Sequence, residues 1–319
     1  MNLETEREIK YSLIIPVYKN EENIPDLLAA LEGLNESLGN GFEVVFVVDG
    51  SPDRSHLLLE TKLSTCLFYS RLSLLSKNFG SFAAIRAGLT QAQGKYFAVM
   101  AADLQEPPLL ILEFFKALES EEVDIVLGVR RKRADPFLSR VSSGIFWGIY
   151  RRYVQPEMPA GGIDVFGCNR HFREQLLRLH ESHSTLVGLI LWMGFRRREI
   201  GYDRLERRLG KSAWTFSKKL RYLTDSIFSF SDLPIRLLVS IGILGMLFSV
   251  VFSLLVLIAK LNALIPIPGY AATVLTITFF AGLNCLGLGV IGSYIWRAFE
   301  NSKGRPQSII MLSKEFGPK

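Results

Sequence analysis

The feature that most restricts the fold of this 319-residue chain is a pair of long apolar runs close to its C-terminal end. The first covers residues 234–259 with one charge near its start, and the second covers residues 270–296 with none. Each run is long enough to cross a hydrocarbon core of about 30 Å as a helix. Because only a short connection separates them, we predict a hairpin of two transmembrane helices, at residues 234–259 and 270–296.

Basic residues flank both sides of the hairpin and predict its orientation, because positive charge beside a membrane span favours the cytoplasmic side. They are Lys218, Lys219, Arg221 and Arg236 before the first run, and Arg297, Lys303 and Arg305 after the second. The first thirty residues hold no apolar signal segment, so we do not expect the main domain to be exported. The sequence therefore predicts a multi-pass protein of the cytoplasmic (inner) membrane, with both termini and the main domain in the cytoplasm.

The charge balance and the cysteines argue against several classes of protein. The formal net charge is +6, and basic residues cluster in runs such as 130–133, 196–198 and 204–208. No nucleic-acid recognition fold accompanies these runs, so we expect no nucleic-acid partner and assign the charge to the lipid bilayer and to phosphorylated substrates. Three widely spaced cysteines form neither a metal-binding nor a disulfide pattern, which fits a reducing compartment.

Short apolar strands alternate with amphipathic helices over the first part of the chain. We predict strands at 11–15, 42–48, 72–75, 96–100 and 124–127, and helices at 23–38, 82–91 and 109–118. This alternation indicates an α/β fold with a mostly parallel sheet and flanking helices. Ligands of such sheets bind beyond the carboxyl ends of the strands. Polar clusters lie at these ends, at residues 16–18, 49–51, 77–78, 103–105 and 128–130, and predict a single active site.

Two further segments combine apolar and aromatic residues with a basic face. Residues 137–154 and 216–232 are predicted to be helices lying in the membrane interface, although packing on the domain core explains the first equally well. The predicted organisation is a cytoplasmic domain at 1–215, a juxtamembrane amphipathic helix at 216–232, the two spans, and a cytoplasmic tail at 297–319.

A possible metal site follows the fourth strand, where an apolar run ends at Asp103-Leu-Gln105 and two prolines. In extended geometry residues i and i+2 point the same way, so Asp103 and Gln105 are predicted to face one ion. Hard oxygen ligands suit Mg²⁺ or Mn²⁺, which proteins often hold together with substrate phosphates. Taken alone, this tripeptide also fits a strand followed by an ordinary polar turn.

Six motifs in order resemble those of a known enzyme family. They are 15–24 (IPVYKNEENI), 48–53 (VDGSPD), 77–81 (KNFGS), 84–88 (AIRAG), 102–108 (ADLQEPP) and 128–130 (GVR). With the later 207–212 (RRLGKS), the chain resembles inverting family 2 glycosyltransferases, and more narrowly polyprenyl-phosphate glycosyltransferases such as dolichyl-phosphate mannose synthase and bactoprenol glucosyltransferases. The resemblance implies a GT-A-type catalytic domain at 1–215 and a hexosyltransferase that depends on Mg²⁺ or Mn²⁺.

The resemblance also implies roles for individual residues. The implied nucleotide-binding residues are Pro16 and Tyr18 against base and ribose, Asp49 and Gly50 at the base, Asn78 beneath the nucleotide, and Ala102 and Asp103. Asp103 and Gln105 match the metal ligands. Asp53 is explained equally well as the N-cap of a helix.

Basic residues match positions that bind the lipid phosphate or the leaving diphosphate. The implied acceptor and phosphate set is Arg130, Arg140, Asp164, Arg207 and Ser212, and the implied catalytic set is Asp103, Arg130 and Arg207. Arginine suits these positions because its planar fork binds two phosphate oxygens and keeps its charge. For each arginine, a solvated or lipid-facing position is the alternative.

The implied reaction is inverting transfer of one sugar from a nucleotide-diphosphate sugar, expected to be UDP-linked, to undecaprenyl phosphate at the cytoplasmic membrane face. The product would serve cell-envelope glycan or lipid modification. An acceptor phosphate is ionised near pH 7 and needs no dedicated general base, which fits the position of all four histidines outside the motifs. The chain departs from the family pattern at Ala101, where the first acid of Asp-x-Asp is usual.

Two other functions stay open at this point. One is a family 2 transferase with a different acceptor, and the other is a catalytically silent membrane partner that binds nucleotide sugar. Small residues in the second apolar run fit either a homo-oligomer contact or packing of the hairpin's own helices. They are Gly282, Gly287, Gly289 and Gly292.

Overall fold

The computed structural model of the chain describes residues 8–131, 148, 151–152, 154–159, 161–181, 184–205, 216–231, 233–261 and 269–318. Within this part, eight strands form one sheet. The strands are β1 Tyr11–Val17, β2 Phe42–Val48, β3 Tyr69–Leu75, β4 Tyr96–Val99, β5 Ile125–Arg130, β6 Ile163–Asn169, β7 Arg197–Tyr202 and β8 Ile310–Phe316. The helices are α1 Ile24–Leu38, α2 Ser55–Leu63, α3 Ser81–Gln91, α4 Pro108–Glu119, α5 Arg170–Arg178, α6 Leu186–Trp192, α7 Phe216–Phe230, α8 Leu233–Leu261 and α9 Tyr270–Ser302.

The sheet is mostly parallel, as the sequence predicts. Its strand order is β7-β5-β6-β4-β1-β2-β3-β8, and β6 and β8 are the strands that run antiparallel to their neighbours. The carboxyl ends of the parallel strands therefore meet at one edge, which we call the carboxyl edge. The first residues of β6 and β8 lie at the same edge.

Burial on both faces explains the continuous apolar strands. All seven residues of β2 are buried, as expected for a central strand of a parallel sheet that helices cover on both sides. Successive side chains of β1 enter opposite cores, so Leu13 belongs to the cluster with α1 and α4 and Ile14 to the cluster with α3. Gly88 of α3 allows this helix to approach closely, because a methyl group there would lie 2.5 Å from Ile14 Cγ2.

The strands and helices predicted within residues 11–130 are all present, and β2 has the predicted bounds. The sequence analysis did not predict α2, β6 or β7. Strand β7 (RREIGY) lies at an edge of the sheet, and its first three residues are exposed. An exposed edge strand lacks the alternation of apolar and polar residues that predicts a strand from sequence.

The segment predicted as a cytoplasmic tail contains two structured parts. Helix α9 continues to Ser302, and β8 then pairs antiparallel with β3 from Leu75↔Ile310 to Ser70↔Phe316. An ion pair between Arg71 and Glu315 adds to this pairing. Because the connecting residues 303–309 span at most about 25 Å when extended, the end of α9 stays close to the sheet.

The C-terminal helices carry the apolar runs. Both predicted spans, 234–259 and 270–296, lie within helices, α8 and α9. Among the described residues, the segment Phe279–Ser302 is long and apolar enough to cross a membrane, and almost none of its residues is buried. The segments Leu223–Phe230 and Leu233–Gly245 are long and apolar enough to cross a membrane only when taken together, and they meet at a bend of 73°.

Helices α8 and α9 contact each other in antiparallel fashion. A methyl group at Gly287 would lie 3.6 Å from Leu238 Cδ1, and one at Gly245 would lie 3.7 Å from Phe280 Cε1. Gly287 therefore packs within the helix pair, which is one of the two explanations that the sequence left open. The other small residues of this run meet no neighbouring atom, because a methyl group at Gly282, Gly289 or Gly292 would have nothing within 4 Å.

Helix α7, predicted as a juxtamembrane helix, packs one side on the domain. Leu223, Ile227 and Phe230 contact the core cluster that also contains α5 and α6. The other predicted interface segment, 137–154, lies almost entirely outside the described residues.

Candidate functional site

The polar clusters predicted at strand ends do lie at the carboxyl edge, because β1 to β5 are all oriented alike there. Two groups of residues form along this edge. One lies around the ends of β1, β2 and β3 and contains the predicted nucleotide contacts. The other lies around the ends of β4, β5 and β7 and contains the predicted metal and phosphate residues.

Asp49 joins two loops in the first group. It follows β2 and is 2% exposed. One carboxylate oxygen accepts from the backbone N–H of Phe79 at 2.7 Å, and the other accepts from that of Gly80 at 2.9 Å. The side chain of Asn78 donates to the backbone carbonyl of Asp49 at 3.3 Å. The predicted base-recognition residue is thus also the residue that fixes the loop between β3 and α3.

Gly50 is required where these two loops meet. Its φ is +55°, and a methyl group there would lie 2.3 Å from the backbone carbon of Lys77. No side chain other than hydrogen fits such a position without moving the loop. Pro16 and Tyr18 are half-buried at the end of β1, as expected for a surface that a base could cover.

Asp53 also connects loops. Its carboxylate accepts from the backbone N–H of Ser55 at the start of α2 and from the backbone N–H of Glu21 at 3.1 Å. Hydrogen bonds from Ser51 and Ser55 outweigh burial and lower the pKa of Asp53. Asp53 thereby joins the start of α2 to Glu21, but it precedes the N-cap of α2, which is Arg54 and makes no side-chain capping bond.

The predicted extended geometry of Asp103 and Gln105 is wrong. Strand β4 ends at Val99, and Leu104 between the two residues has a φ of +53°. This left-handed residue turns the chain, and the backbone N–H of Gln105 donates to Asp103 Oδ1 at 3.3 Å. The alternation of a strand therefore does not apply across these three residues.

Gln105 links this turn to the chain beyond β7. Its side-chain oxygen accepts from Arg204, and its side-chain nitrogen donates to the carbonyl of Leu205 at 3.3 Å. The backbone N–H of Leu205 in turn donates to the Gln105 carbonyl at 2.9 Å. A metal ligand role for the Gln105 oxygen would require that Arg204 release it.

Arg130 and Asp164 form a two-pronged ion pair. Two guanidinium nitrogens of Arg130 donate to the two carboxylate oxygens of Asp164. The pairing follows from topology, because Arg130 ends β5 while Asp164 is the second residue of the adjacent antiparallel β6. Tyr202, opposite Arg130 in the register of β5 and β7, donates its hydroxyl to Asp164 Oδ2 at 2.6 Å.

The electrostatics of this cluster match its geometry. Burial opposes ionisation of Asp164, but the hydrogen bonds from Arg130 and Tyr202 outweigh it and lower its pKa. Burial and the neighbouring Asp164 charge raise the pKa of Tyr202, so its hydroxyl keeps the proton that it donates. The fork of Arg130 is therefore held in one orientation at the carboxyl edge.

Glu106 is a buried carboxyl group that the sequence analysis left without a role. It is 2% exposed, and its Oε2 accepts from the backbone N–H of Ala101 at 3.3 Å. Burial and the like charges of Asp103 and Asp164 raise the pKa of Glu106 to about 7. A strongly perturbed carboxyl at a strand end is a mark of a functional site.

Sequence reasoning thus missed Glu106, Tyr202 and Arg204. Glu106 lies inside the motif 102–108, so the sequence did mark it as a candidate. Arg204 belongs to the basic run 204–208. Nothing in the local sequence marks Tyr202. The predicted residues Arg140, Arg207 and Ser212 lie outside the described residues. Ala102 is buried next to Asp103, which is half-buried.

Comparison with known proteins shows the family of this chain. A family model described as Glycosyl transferase family 2 matches residues 12–179. A protein of Bacillus subtilis (strain 168), named "Putative glycosyltransferase CsbB", is 32% identical over 299 residues, or 94% of this chain and 90% of CsbB. A protein of Synechocystis sp. (strain ATCC 27184 / PCC 6803 / Kazusa), named "Uncharacterized glycosyltransferase sll0501", is 31% identical over 306 residues, or 95% of each chain.

A solved structure shares the fold. The crystal structure of glucosyl-3-phosphoglycerate synthase from Mycobacterium tuberculosis, in complex with Mn²⁺, UDP and phosphoglyceric acid, aligns with a TM-score of 0.51 at 16% identity. The alignment covers 69% of this chain and 76% of that chain. The fold predicted from the sequence is thus confirmed as GT-A-like, with a mostly parallel sheet, flanking helices and one C-terminal apolar helix able to span a membrane. The chain belongs to glycosyl transferase family 2 and is a glycosyltransferase.

Proposed function

We propose that the protein transfers one sugar from a nucleotide-diphosphate sugar, expected to be UDP-linked, to a polyprenyl phosphate such as undecaprenyl phosphate, with inversion. One observation carries the choice of a lipid acceptor. The sheet, which carries Arg130 at its carboxyl edge, is joined to an exposed apolar helix through the short segment 303–309 and strand β8. This connection keeps the edge within reach of a phosphate that belongs to a membrane lipid.

The donor would lie along the first group of the edge, with its base near Pro16, Tyr18 and the Asp49–Gly50 corner. The half-buried Asp103 follows β4 beside this region, and its carboxylate would face the diphosphate. Gly50 brings the loops before α2 and α3 together. Backbone atoms of these loops would lie beneath the nucleotide.

The oxygen donors after β4 fit a hard divalent cation such as Mg²⁺ or Mn²⁺. Asp103 and, once Arg204 releases its side-chain oxygen, Gln105 would hold it, together with oxygens of the donor diphosphate. Among the described residues, no three His, Cys, Asp or Glu side chains group closely enough to hold a metal ion by themselves. When bound, the cation would neutralise charge that grows on the departing diphosphate.

Arg130 would bind the acceptor phosphate or the leaving diphosphate. Asp164 engages two of its nitrogens and Tyr202 fixes Asp164, so the guanidinium keeps its place before substrate arrives. An acceptor phosphate oxygen would attack the anomeric carbon from the face opposite the diphosphate. The bond to the diphosphate breaks as the new bond forms, and the nucleoside diphosphate leaves with the electron pair. The residues align and stabilise charge, and no side chain needs to remove a proton.

We propose that α8 and α9 cross the cytoplasmic membrane as a hairpin, with the catalytic domain and both termini in the cytoplasm. Contacts at both ends of the hairpin support this topology. Before α8, Phe230 packs on the domain core, and after α9 the chain returns to the sheet as β8. Arg297 near the end of α9 also pairs with Asp225 of α7 at 2.8 Å. Both ends of the helix pair therefore face the same domain.

The test is transfer from a panel of radiolabelled UDP- and GDP-sugars to undecaprenyl phosphate by the full-length, detergent-purified protein, with and without Mn²⁺. We expect an acid-labile labelled lipid from one donor. Failure of every donor, with nucleotide binding intact, would point to a different acceptor or a silent partner.

A matched pair of variants tests the role of Arg130. Arg130→Ala is expected to lower the rate of transfer by about 100-fold or more, the usual cost of losing a group that stabilises developing charge. Arg131→Ala is the control, because Arg131 is the exposed neighbour on the same strand end. Equal effects of the two changes would contradict the proposed site.

A further inference from the structure

Helix α7 packs on the catalytic domain immediately before the chain enters the apolar helices. Leu223, Ile227 and Phe230 contact the core cluster that contains α6. Ser226 of the same helix is fully buried. Phe230 is the last residue of α7, and α8 begins three residues later at Leu233. The contact of Phe230 with the domain therefore lies at the junction between the domain and the helix pair.

The ring of Phe230 lies directly on the backbone of Gly188 in α6. A methyl group at Gly188 would lie 2.2 Å from Phe230 Cε2 and 2.7 Å from Thr185 Oγ1. The backbone N–H of Gly188 donates to Thr185 Oγ1 at 3.2 Å, and its carbonyl accepts from Gln155 Nε2 at 3.3 Å. Thr185 and Gln155 are both buried. Hydrogen bonds thus hold the backbone beneath the ring in place.

Other residues of α7 contact α9. The carboxylate of Asp225 accepts from Arg297 at 2.8 Å, and the guanidinium of Arg297 lies 5.1 Å from the centroid of the Phe228 ring. The ring centroids of Phe228 and Tyr294 are 5.2 Å apart. The Tyr294 hydroxyl donates to the carbonyl of Ser231, just after α7, at 3.4 Å. Helix α7 therefore joins the domain to the last part of α9.

The chain beyond α9 also contacts the domain. Gln307 Nε2 donates to the carbonyl of Glu181, in the connection before α6, at 2.9 Å. The backbone N–H of Ser76 donates to the carbonyl of Ile309 at 3.0 Å, and Ser76 directly precedes the loop that Asp49 fixes. Hydrogen bonds and packing thus attach both ends of the helix pair to the domain.

A fixed attachment matters for an acceptor that is a membrane lipid. The phosphate of such a lipid stays at the height of the headgroups, whereas a nucleotide sugar arrives from solution. The carboxyl edge must therefore be held at one height above the bilayer for the phosphate to reach the anomeric carbon. A misplacement of about 1 Å can lower the rate of such a reaction by about 100-fold.

We propose that α7 sets the position of the carboxyl edge relative to the membrane, with Phe230 and Arg297 as positioning residues for the lipid acceptor. The inference rests on the proposed function, since it requires an acceptor phosphate that is held in a bilayer. Displacing α7 should impair transfer to a membrane-bound acceptor and spare transfer to a short prenyl phosphate that diffuses in water.

The test displaces the Phe230 ring with a methyl group. Ordinary van der Waals contact starts at 3.4 Å, so Gly188→Ala would push the ring about 1 Å away from α6. The full-length protein is purified in detergent and reconstituted into liposomes. The acceptor is either undecaprenyl phosphate in the bilayer or geranyl phosphate in solution, and the donor is the sugar nucleotide that the radiolabelled panel identifies.

The variant should separate the two acceptors. We expect kcat/KM for undecaprenyl phosphate to fall by about 10- to 100-fold, because the reacting groups are misplaced. The value of kcat/KM for geranyl phosphate and the KM for the donor should stay as in the unaltered protein. A change that only destabilised the domain would lower the activity with both acceptors alike.

Further variants provide the controls. Phe230→Leu removes the ring carbons that the new methyl group would meet, so the double change Gly188→Ala with Phe230→Leu should recover part of the loss. Gly194→Ala, just beyond the other end of α6, adds a methyl group at a φ of +66° that meets nothing within 4 Å. It should lower stability without changing the ratio of the two activities. If Gly188→Ala does not yield folded protein, Arg297→Gln takes its place, because it breaks the pair with Asp225 on α7.

The outcomes are distinguishable. A selective loss with undecaprenyl phosphate supports the inference. Equal losses with both acceptors overturn it, and so do unchanged activities or a loss that Phe230→Leu does not reduce. Failure of the unaltered protein to transfer from any donor to either acceptor would instead overturn the proposed function.

Discussion

Replacing Gly50 by alanine tests whether the corner between β2 and β3 is as tightly built as the structure shows. Two costs combine at this residue. The φ of +55° disfavours any side chain, which costs about 1–2 kcal/mol. The new methyl group would also lie 2.3 Å from the backbone carbon of Lys77, and overpacking of this kind costs about 1–3 kcal/mol more. We therefore expect a loss of about 2–5 kcal/mol.

Gly194, which lies just beyond α6, provides the matched control. Its φ is +66°, but a methyl group there would meet nothing within 4 Å. Gly194→Ala should therefore show the conformational cost alone. The assay is thermal unfolding of both purified variants, in which each kcal/mol corresponds to about 2–4 °C for a domain of this size. Gly50→Ala should also weaken UDP binding, whereas Gly194→Ala should not. Equal changes in Tm for the two variants would refute the argument from close approach.

Three other changes test separate parts of the structure. Gly88→Ala should lower Tm, because its methyl group would lie 2.5 Å from Ile14 Cγ2 and push α3 from the sheet; an unchanged Tm would show that the helix shifts freely. Asp164→Asn should change how the stability of the protein depends on pH. The pKa of Asp164 in the folded protein lies below its ordinary value of 3.8, so the ionised carboxylate stabilises the fold above that pH. This contribution is lost as the pH falls through the folded pKa. The Tm difference from the unaltered protein should thus be constant above about pH 5 and shrink below about pH 4, and a difference independent of pH would contradict the ion pair. Deleting residues 305–319 removes β8 and exposes the edge of β3, so size-exclusion chromatography should show aggregation; a monodisperse, equally stable product would mean that β8 is dispensable.

The position of the site followed from local sequence, whereas its internal contacts did not. Strands such as β2 are buried on both faces and therefore appear in the sequence as continuous apolar runs. The residue at which such a run stops marks the end of the strand. Parallel strands bring those ends to one edge, so Asp49, Asp103 and Arg130 could be placed in one site. Arg130 and Asp164 were each expected there. Their direct ion pair was not, because 34 residues separate them and the pairing depends on the antiparallel β6.

The turn at 103–105 shows a second limit of the sequence pattern. Alternation predicts where side chains point only while the backbone stays extended. Leu104 adopts a left-handed conformation, although leucine is not a residue type that favours it. The resulting turn brings Gln105 to Arg204 and Glu106 to Ala101. The hydrogen bonds of Gln105 to Arg204 and Leu205 join distant parts of the chain, so the motif 102–108 by itself could not reveal this conformation.

The sequence by itself determined the alternation of strands and helices, the family motifs and the apolar helices, because each depends on the order of neighbouring residues. Tertiary structure alone decided that Tyr202 holds Asp164, that Glu106 returns to Ala101, and that β8 completes the sheet. These contacts join residues far apart in the chain or across a tight turn. Their energies come from register, burial and charge in the folded state, which local periodicity does not encode.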